Sequence, residues 1–213
     1  MSAQSDCPFG PNLAPYWESR YALFQKWDKG IQIDEVGLYS VKPEKAALQI
    51  AERFRSDTVL DAFCGVGGSA IAFARLGKRV ITVDNDKVRL DMARHNARIY
   101  GVENQIEFVL GDTLSLLDST DMEAVYFDPP WGGVEYIDKN TFKLSNFSPD
   151  GHMLLNSAFK HFHEVGFTLP INFDWNELRS LHRDVLFFWS HTEGFSNLRE
   201  GDYLFVTALM DVP

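Results

Sequence analysis

The segment DAFCGVGGSAIAFA, Asp61–Ala74, decides the fold. It overlaps the apolar run TVLDAF (58–63), which has the composition of a buried strand, and leads into SAIAFARLG (69–77), which has helical spacing and ends at a glycine. Three glycines, among them Gly65 and Gly67, make the connection a turn in which bare backbone at the start of a helix can approach a ligand. A strand, a glycine turn and a helix in this order predict a unit of a parallel α/β sheet.

The same alternation continues along the chain. Apolar runs that predict further strands are RVITVD (79–84), IEFVLGD (106–112), AVYFDPP (124–130), DVLFFWS (184–190) and YLFVTALM (203–210). Helical patterns lie between them, at KVRLDMARHNARIYG (87–101) and DGHMLLNSAFKHFHEVG (150–166). Strands that alternate with helices of this length predict a largely parallel sheet with right-handed crossovers.

Acidic residues stand at the ends of three successive strands: Asp61, Asp84 and Asp112. Ligands of open α/β sheets bind at this carboxyl edge, and an acid about 20 residues after the first strand is suited to a ribose diol. Each signal also has a plain structural explanation, since a glycine turn can simply connect two elements and a strand-end Asp can cap a helix. The three acids together with the glycine turn favour a nucleoside-type cofactor.

The spacing of the turn distinguishes two classes of cofactor. D-x-F-x-G-x-G-G differs from the G-x-G-x-x-G fingerprint that binds a pyrophosphate. S-adenosylmethionine has no phosphate but has an amine, which Asp61 or carbonyls of the turn could hold. The pattern resembles the motifs of class I methyltransferases.

A second motif, YFDPPWGG, covers residues 126–133. Two prolines fix φ at about −65° and have no N–H. The segment can therefore present carbonyls to a ligand without continuing the hydrogen bonding of the β-sheet. These carbonyls, with Asp128, could accept hydrogen bonds from an exocyclic amine and direct its lone pair at a sulfonium methyl. A Pro-Pro pair can also merely end a strand. Because this strand end is expected beside the glycine turn of the cofactor site, a catalytic role is favoured for four residues: Asp128, Pro129, Pro130 and Trp131.

Three segments resemble the trimethylguanosine synthase family of RNA cap guanine-N2 methyltransferases: AFCGVGG (62–68), PPWGG (129–133) and residues 16–47. The resemblance extends through FSPDG (147–151) and more loosely to Leu178. It implies an α/β, Rossmann-like class I fold with a mostly parallel seven-stranded sheet and helices on both faces. It also implies a short N-terminal extension, residues 1–45, that covers the active site of a methyltransferase domain formed by residues 46–213.

The resemblance implies S-adenosylmethionine as cofactor, S-adenosylhomocysteine as product, and a set of contact residues. Cofactor contacts fall on Phe24, Asp61, Phe63, Gly65, Gly67, Asp84, Asn85 and Asp112, and substrate contacts on Ser40, Asn96, Trp131 and Tyr136. The indole is expected to stack on 7-methylguanine, whose positive charge over an aromatic face gains roughly 0.5 to 2 kcal/mol. No metal is expected, because Cys7 and Cys64 lie far from any CxxC spacing.

Several positions depart from the family pattern. Pro15, Lys42 and Ile171 stand where the family tends to have Lys, Thr and Arg, and Asp128 stands where many members have Ser. The formal net charge of −10 also opposes broad attachment to nucleic acid. Any contacts to the cap phosphates would then fall to Lys26, Lys42, Lys139 or Lys143, each of which is otherwise expected to be a solvated surface charge.

The expected partner is m7G-capped RNA or an m7G cap nucleotide, bound by a protein that is more readily a monomer than an oligomer. No membrane is expected, since no apolar run reaches the roughly 18 residues needed to cross a bilayer and MSAQSDCPFG has no signal-peptide layout. The family implies the nucleus or nucleolus, with the cytoplasm also open. Two alternatives remain: a guanine-N2 or adenine-N6 methyltransferase of tRNA, rRNA or DNA, and a non-catalytic m7G-binding module.

Overall fold

The computed structural model describes residues 7–132, 141–182, 184–191 and 203–212. The strands are β1 (Thr58–Asp61), β2 (Arg79–Asp84), β3 (Ile106–Leu110), β4 (Ala124–Phe127), β5 (Glu164–Leu169), β6 (Val185–His191) and β7 (Tyr203–Asp211). The α-helices are α1 (Ala14–Glu18), α2 (Arg20–Leu23), α3 (Glu35–Ser40), α4 (Glu44–Arg53), α5 (Gly68–Arg75), α6 (Lys87–Tyr100), α7 (Thr113–Leu117), α8 (Gly151–His161) and α9 (Trp175–Leu181).

The strands of the described residues form one sheet in the order β3-β2-β1-β4-β5-β7-β6. β1 pairs in parallel with both β2 and β4, so that Leu60 lies opposite Ile81 on one side and Val125 on the other. Only β7 runs antiparallel, to β5 and to β6. The expected mostly parallel seven-stranded sheet is confirmed. Its strand order reverses between β1 and β4, which is where an open α/β sheet leaves a crevice for a ligand.

Helices cover both faces of the sheet. Val59 and Leu60 are successive residues of β1 and therefore point to opposite faces. Val59 belongs to a core with α4 and α5 residues such as Ile50 and Phe73, whereas Leu60 belongs to a second core with α8 residues such as Leu154. The helices on both faces are thus held by apolar packing, as expected for this class of fold.

The sequence pattern fails at β5. The helix expected over 150–166 ends at His161, and its last three residues, 164–166, are instead the start of a strand. All six residues of β5 are buried. Only Phe162 and His163 separate it from α8, and neither is a glycine or proline that would mark the end of the helix. The first residue of β5, Glu164, is a buried acid whose carboxylate accepts hydrogen bonds from the backbone N–H groups of Arg55 and Ser56 at 3.1 Å.

The N-terminal segment packs on the first of these cores through Leu13, Leu23 and Leu38, which are buried. The expected division at residues 45/46 falls in the first turn of α4, which begins at Glu44. None of the described helices is both long and apolar enough to cross a bilayer.

Candidate active site

A cavity of about 480 Å³ opens at the carboxyl edge of β1, β2 and β4. Most of its lining comes from the glycine turn, the strand ends and the N-terminal segment, and Ser148, Pro149 and Phe205 complete it. Among the predicted site residues, the lining includes Ser40, Phe63, Gly65, Asp84, Asn85, Asp112, Asp128, Pro129, Pro130 and Trp131. The structure therefore brings most of the predicted cofactor and acceptor residues into one cleft.

The glycine turn is compressed between two neighbours. Gly67 has φ +92°, in the left-handed region, and directly precedes α5. A Cβ at this position would lie 3.0 Å from the Cβ of Ala93 on α6, and one at Gly68 would lie 2.6 Å from Val41 of the N-terminal segment. Gly67 is itself buried and lies behind the lining, while Gly65, with φ +50°, faces the cleft. The close packing of the turn against Ala93 and Val41 therefore requires glycine at positions 67 and 68.

Two strand-end acids, Asp84 and Asp112, both stabilise local structure and line the cleft, the two roles considered from the sequence. Asp84 accepts hydrogen bonds from the backbone N–H of Gly65 at 2.8 Å and of Asp86 at 2.9 Å. Asp112 accepts one from the backbone N–H of Ser115 at 3.0 Å and caps α7. Both acids also line the cleft, so each fixes a loop and presents a carboxylate to a ligand.

Asp61 lies at the end of β1 and is fully buried, outside the lining itself. Its Oδ2 accepts a hydrogen bond from the Thr82 hydroxyl at 3.0 Å, whereas its Oδ1 has no donor among the described residues. Burial raises the pKa of Asp61 to about 7; the Thr82 hydrogen bond opposes the rise and the charge of Asp128 adds to it. A buried carboxyl oxygen without a donor fits a ligand that carries an amine.

The acceptor end of the cleft contains an ion pair that the sequence did not predict. The Nζ of Lys42 donates a very short hydrogen bond to Oδ2 of Asp128. Lys42 is only 5% exposed, so its expected role as a solvated surface charge is wrong. In the sequence, the one indication of this ion pair was the departure from the family pattern at positions 42 and 128.

Trp131 is half-buried and lies where β4 leads into the cleft. It packs at the border of both cores, and it is followed by Gly132, at which a Cβ would have no atom of the described residues within 4 Å. A half-buried indole at the edge of a cleft is suited to stacking on a planar base. Tyr136 and Lys139, two further predicted contacts, lie outside the described residues.

Phe24 and Asn96, two further predicted contacts, do not line the cleft, and both are held by contacts within the protein. Phe24 is 2% exposed and packs 6.3 Å from the ring of Tyr100. The amide of fully buried Asn96 accepts from the Gln32 N–H at 2.8 Å and donates to the carbonyls of Gln32 and Val66 at 2.8 and 3.0 Å. Asn96 thus joins α6 to the N-terminal segment.

Other α6 side chains hold the same segment. Arg89 donates to Asp34 at 2.9 Å, and the His95 ring lies 2.9 Å from the carbonyl of Gly30. Asp34 in turn accepts from the Gly37 N–H at 2.6 Å and caps α3. α3 carries Ser40 into the lining, so α6 positions the wall of the cleft that faces the acceptor motif.

Residues 56–205 match the family model described as RNA cap guanine-N2 methyltransferase. The chain belongs to the RNA cap guanine-N2 methyltransferase family. A methyltransferase of this family uses S-adenosylmethionine, in agreement with the glycine turn, the acidic strand ends and the unpartnered Asp61 oxygen described above. The protein is accordingly a methyltransferase with S-adenosylmethionine as its cofactor.

Two relatives share the name trimethylguanosine synthase. The protein of Schizosaccharomyces pombe is 36% identical over 184 residues, which are 81% of this methyltransferase and 77% of the relative. The protein of Saccharomyces cerevisiae is 32% identical over 187 residues, which are 82% of this chain and 59% of the relative.

Solved structures agree on the fold. A candidate methyltransferase from Porphyromonas gingivalis W83 has a TM-score of 0.70 at 15% identity, over 93% of this chain and 48% of that one. An S-adenosylmethionine-dependent methyltransferase from Agrobacterium tumefaciens has a TM-score of 0.56 at 16% identity, over 82% of this chain and 64% of that one. The Rossmann-like methyltransferase fold is confirmed.

Proposed function

We propose that this methyltransferase transfers methyl groups to the exocyclic N2 of 7-methylguanosine in an RNA 5′ cap, giving 2,7-dimethylguanosine and then 2,2,7-trimethylguanosine. The observation that carries the proposal is the single cleft in which the glycine turn and the Asp128–Trp131 motif meet. The shared name of the two relatives supports the acceptor. Transfer to tRNA, rRNA or DNA and a purely binding role are not favoured, since the matched family is one of cap methyltransferases.

The cofactor side is suited to S-adenosylmethionine. When bound, this cofactor supplies a methyl group already activated on a sulfonium, so no covalent enzyme intermediate is needed. Asp84 and Asp112 offer carboxylates to its hydroxyl and amine donors, and Gly65 offers close approach of the backbone. The Oδ1 of Asp61, which has no donor among the described residues, is suited to its amine.

The acceptor side orients the base. Pro129 leaves its carbonyl free of a strand ladder, so that it and Asp128 can accept hydrogen bonds from the guanine amine. Trp131 can stack on the purine, and N7 methylation strengthens that contact because it makes the base cationic. Holding the amine in line with the methyl group can contribute as much as roughly 7 to 11 kcal/mol, so positioning is sufficient without a dedicated general base.

The phosphates are the less specified part of the substrate. Pro15 and Ile171 are exposed and offer no cation, and Lys42 is buried beside Asp128. Of the four predicted lysines, Lys26 and the exposed Lys143 are the two within the described residues that could contact a phosphate. We therefore expect recognition to depend mainly on the base. Capped RNA as partner, a monomeric state and a nuclear or nucleolar location remain predictions.

Mass spectrometry of m7GTP and GTP after incubation with the protein and S-adenosylmethionine tests the proposal. We expect m7GTP alone to gain the mass of one or two CH2 groups, with an equal number of S-adenosylhomocysteine molecules formed. The number of added groups separates dimethyl from trimethyl product. Equal methylation of GTP would contradict the requirement for N7 methylation. Binding of m7GTP without any mass gain, on the nucleotide or on capped RNA, would favour the non-catalytic module.

A further inference from the structure

The Lys42–Asp128 pair has a geometry that a stability role does not require. The Nζ of Lys42 lies 5.5 Å from the ring centre of Tyr126 and 5.1 Å from that of Phe205, so the aromatic rings hold the ammonium in place. Both charged groups line the cleft. Burying a charge pair usually stabilises a fold no more than apolar side chains of the same size do. Two fixed charges at the acceptor end therefore point to recognition of a ligand.

The pair has hydrogen-bonding capacity to spare. A lysine ammonium has three N–H donors, and among the described residues Lys42 donates only to Asp128. An ionised Asp128 accepts at both oxygens, and its Oδ1 has no donor among those residues. The cleft thus presents a pure donor directly beside a pure acceptor, with Asp128 adjacent to the Pro129–Trp131 motif.

Guanine has the complementary pattern along one edge. O6 is an acceptor, and N1–H and the N2 amine beside it are donors. Building on the proposed function, we propose that Lys42 and Asp128 together recognise this edge, with Lys42 donating to O6 and Asp128 accepting from N1–H beside the reacting amine. An adenine with its amine at the same point would turn its N1 acceptor toward the carboxylate and a C–H toward the ammonium, so the pair would exclude it. Lys42 is then a specificity-determining residue.

Two substrates separate this role from packing. One is m7GTP; the other is 2-amino-7-methylpurine riboside triphosphate, which keeps the 2-amine but lacks both O6 and N1–H. We expect the wild-type protein to prefer m7GTP in kcat/KM by at least about a hundredfold, because a site built to hydrogen-bond a polar group discriminates strongly against an analogue without it. Lys42→Met should lower kcat/KM for m7GTP by about tenfold to a hundredfold while leaving the analogue unchanged or improved.

Matched variants control for folding and charge. Lys160→Met removes an exposed lysine at the C-terminal end of α8, the end remote from the cleft, and should leave both substrates unaffected. Lys42→Met leaves Asp128 without its partner, so the double variant Lys42→Met/Asp128→Asn is the second test, in which no unpaired charge remains. The double variant should show the same loss of preference for m7GTP over the analogue. S-adenosylhomocysteine affinity should be unchanged in both variants.

An equal loss on both substrates, or a loss on neither, would overturn the proposed recognition while leaving methylation of m7GTP by the wild-type protein intact. If the wild-type protein methylates neither these nucleotides nor capped RNA, the proposed function fails instead. In that case, recognition of the guanine edge by Lys42 and Asp128 is tested by the dissociation constants of the same two nucleotides, measured by quenching of tryptophan fluorescence. A preference for m7GTP that Lys42→Met abolishes would support it, and a preference that persists would refute it.

Discussion

The two halves of the cleft are built in different ways. The cofactor half comes from one stretch, residues 61–113, in which strand-end acids bond to nearby backbone: Asp84 to Gly65 at 2.8 Å and Asp112 to Ser115 at 3.0 Å. The acceptor half joins distant segments, since Lys42 and Asp128 are separated by 86 positions. The cofactor half is thus a local motif and the acceptor half a product of tertiary packing. We therefore expect substitutions in the acceptor half to leave cofactor binding unchanged.

The largest expected effect falls on the acceptor half alone. Trp131→Ala should lower kcat/KM for m7GTP by about a hundredfold, because both aromatic stacking and the cation–π contact are lost. The affinity for S-adenosylhomocysteine should change by less than about twofold, since Trp131 is expected on the other side of the cleft. Trp131→Phe, which keeps a ring, should recover part of the activity. Parallel loss of both functions in Trp131→Ala would show that the two halves are not independent.

A second substitution is directed at the cofactor half. Gly67→Ala should lower the free energy of unfolding by about 2 to 3 kcal/mol, since a left-handed alanine costs about 1 to 2 kcal/mol and its Cβ would press on Ala93. Gly77→Ala is the control: it has φ +84° but open space around the position, so only the backbone cost applies. Urea denaturation measures both. Only Gly67→Ala should also weaken S-adenosylhomocysteine binding; equal effects of the two variants would mean that Ala93 moves aside.

The smallest expected effect is a pH dependence of cofactor affinity. Burial raises the pKa of Asp61 to about 7, so near neutrality about half of this carboxyl is neutral. A cofactor amine favours the ionised form, and affinity should therefore rise as pH increases through that value. Calorimetric titration with S-adenosylhomocysteine should show about a twofold gain from pH 7 to pH 8, and release of a fraction of a proton near pH 7. Asp61→Asn should abolish both; a persisting proton release would assign it to another group.

The sequence predicted the fold wherever signals were local. β1 to β4 are apolar runs that end near glycines or acids, and all four were found. β5 was missed because it follows α8 after only two residues, neither of them a glycine or proline that would mark the end of the helix. The site residues also could be predicted where their signals were local. Gly65, Asp84 and Asp112 could be predicted because their partners are close in sequence or because their strand ends meet at one edge.

The surroundings of Lys42 and Asn96 could not be predicted, because their partners lie far away in the sequence. The partner of Lys42 lies 86 positions away, and that of Asn96 lies 64 positions away at Gln32. A polar side chain in a sequence gives no sign of whether a distant backbone or charge will meet it. Asn96 was expected at the ligand because of the family resemblance, whereas its three hydrogen bonds fix the wall of the cleft from behind.

The attachment of the N-terminal segment to α6 also determines the order in which the cleft can be completed during synthesis. Its contacts with α6 span 55 to 74 positions, from Asp34–Arg89 to the Tyr100 hydroxyl at Lys26. At about 5 to 20 residues per second, the segment waits roughly 3 to 15 seconds for its partners to be translated. During this interval the aromatic side chains of Trp17 and Trp27, which later pack together 5.4 Å apart, have no core to join. The N-terminal wall of the cleft is therefore synthesised first but can be completed only after α6 has been translated.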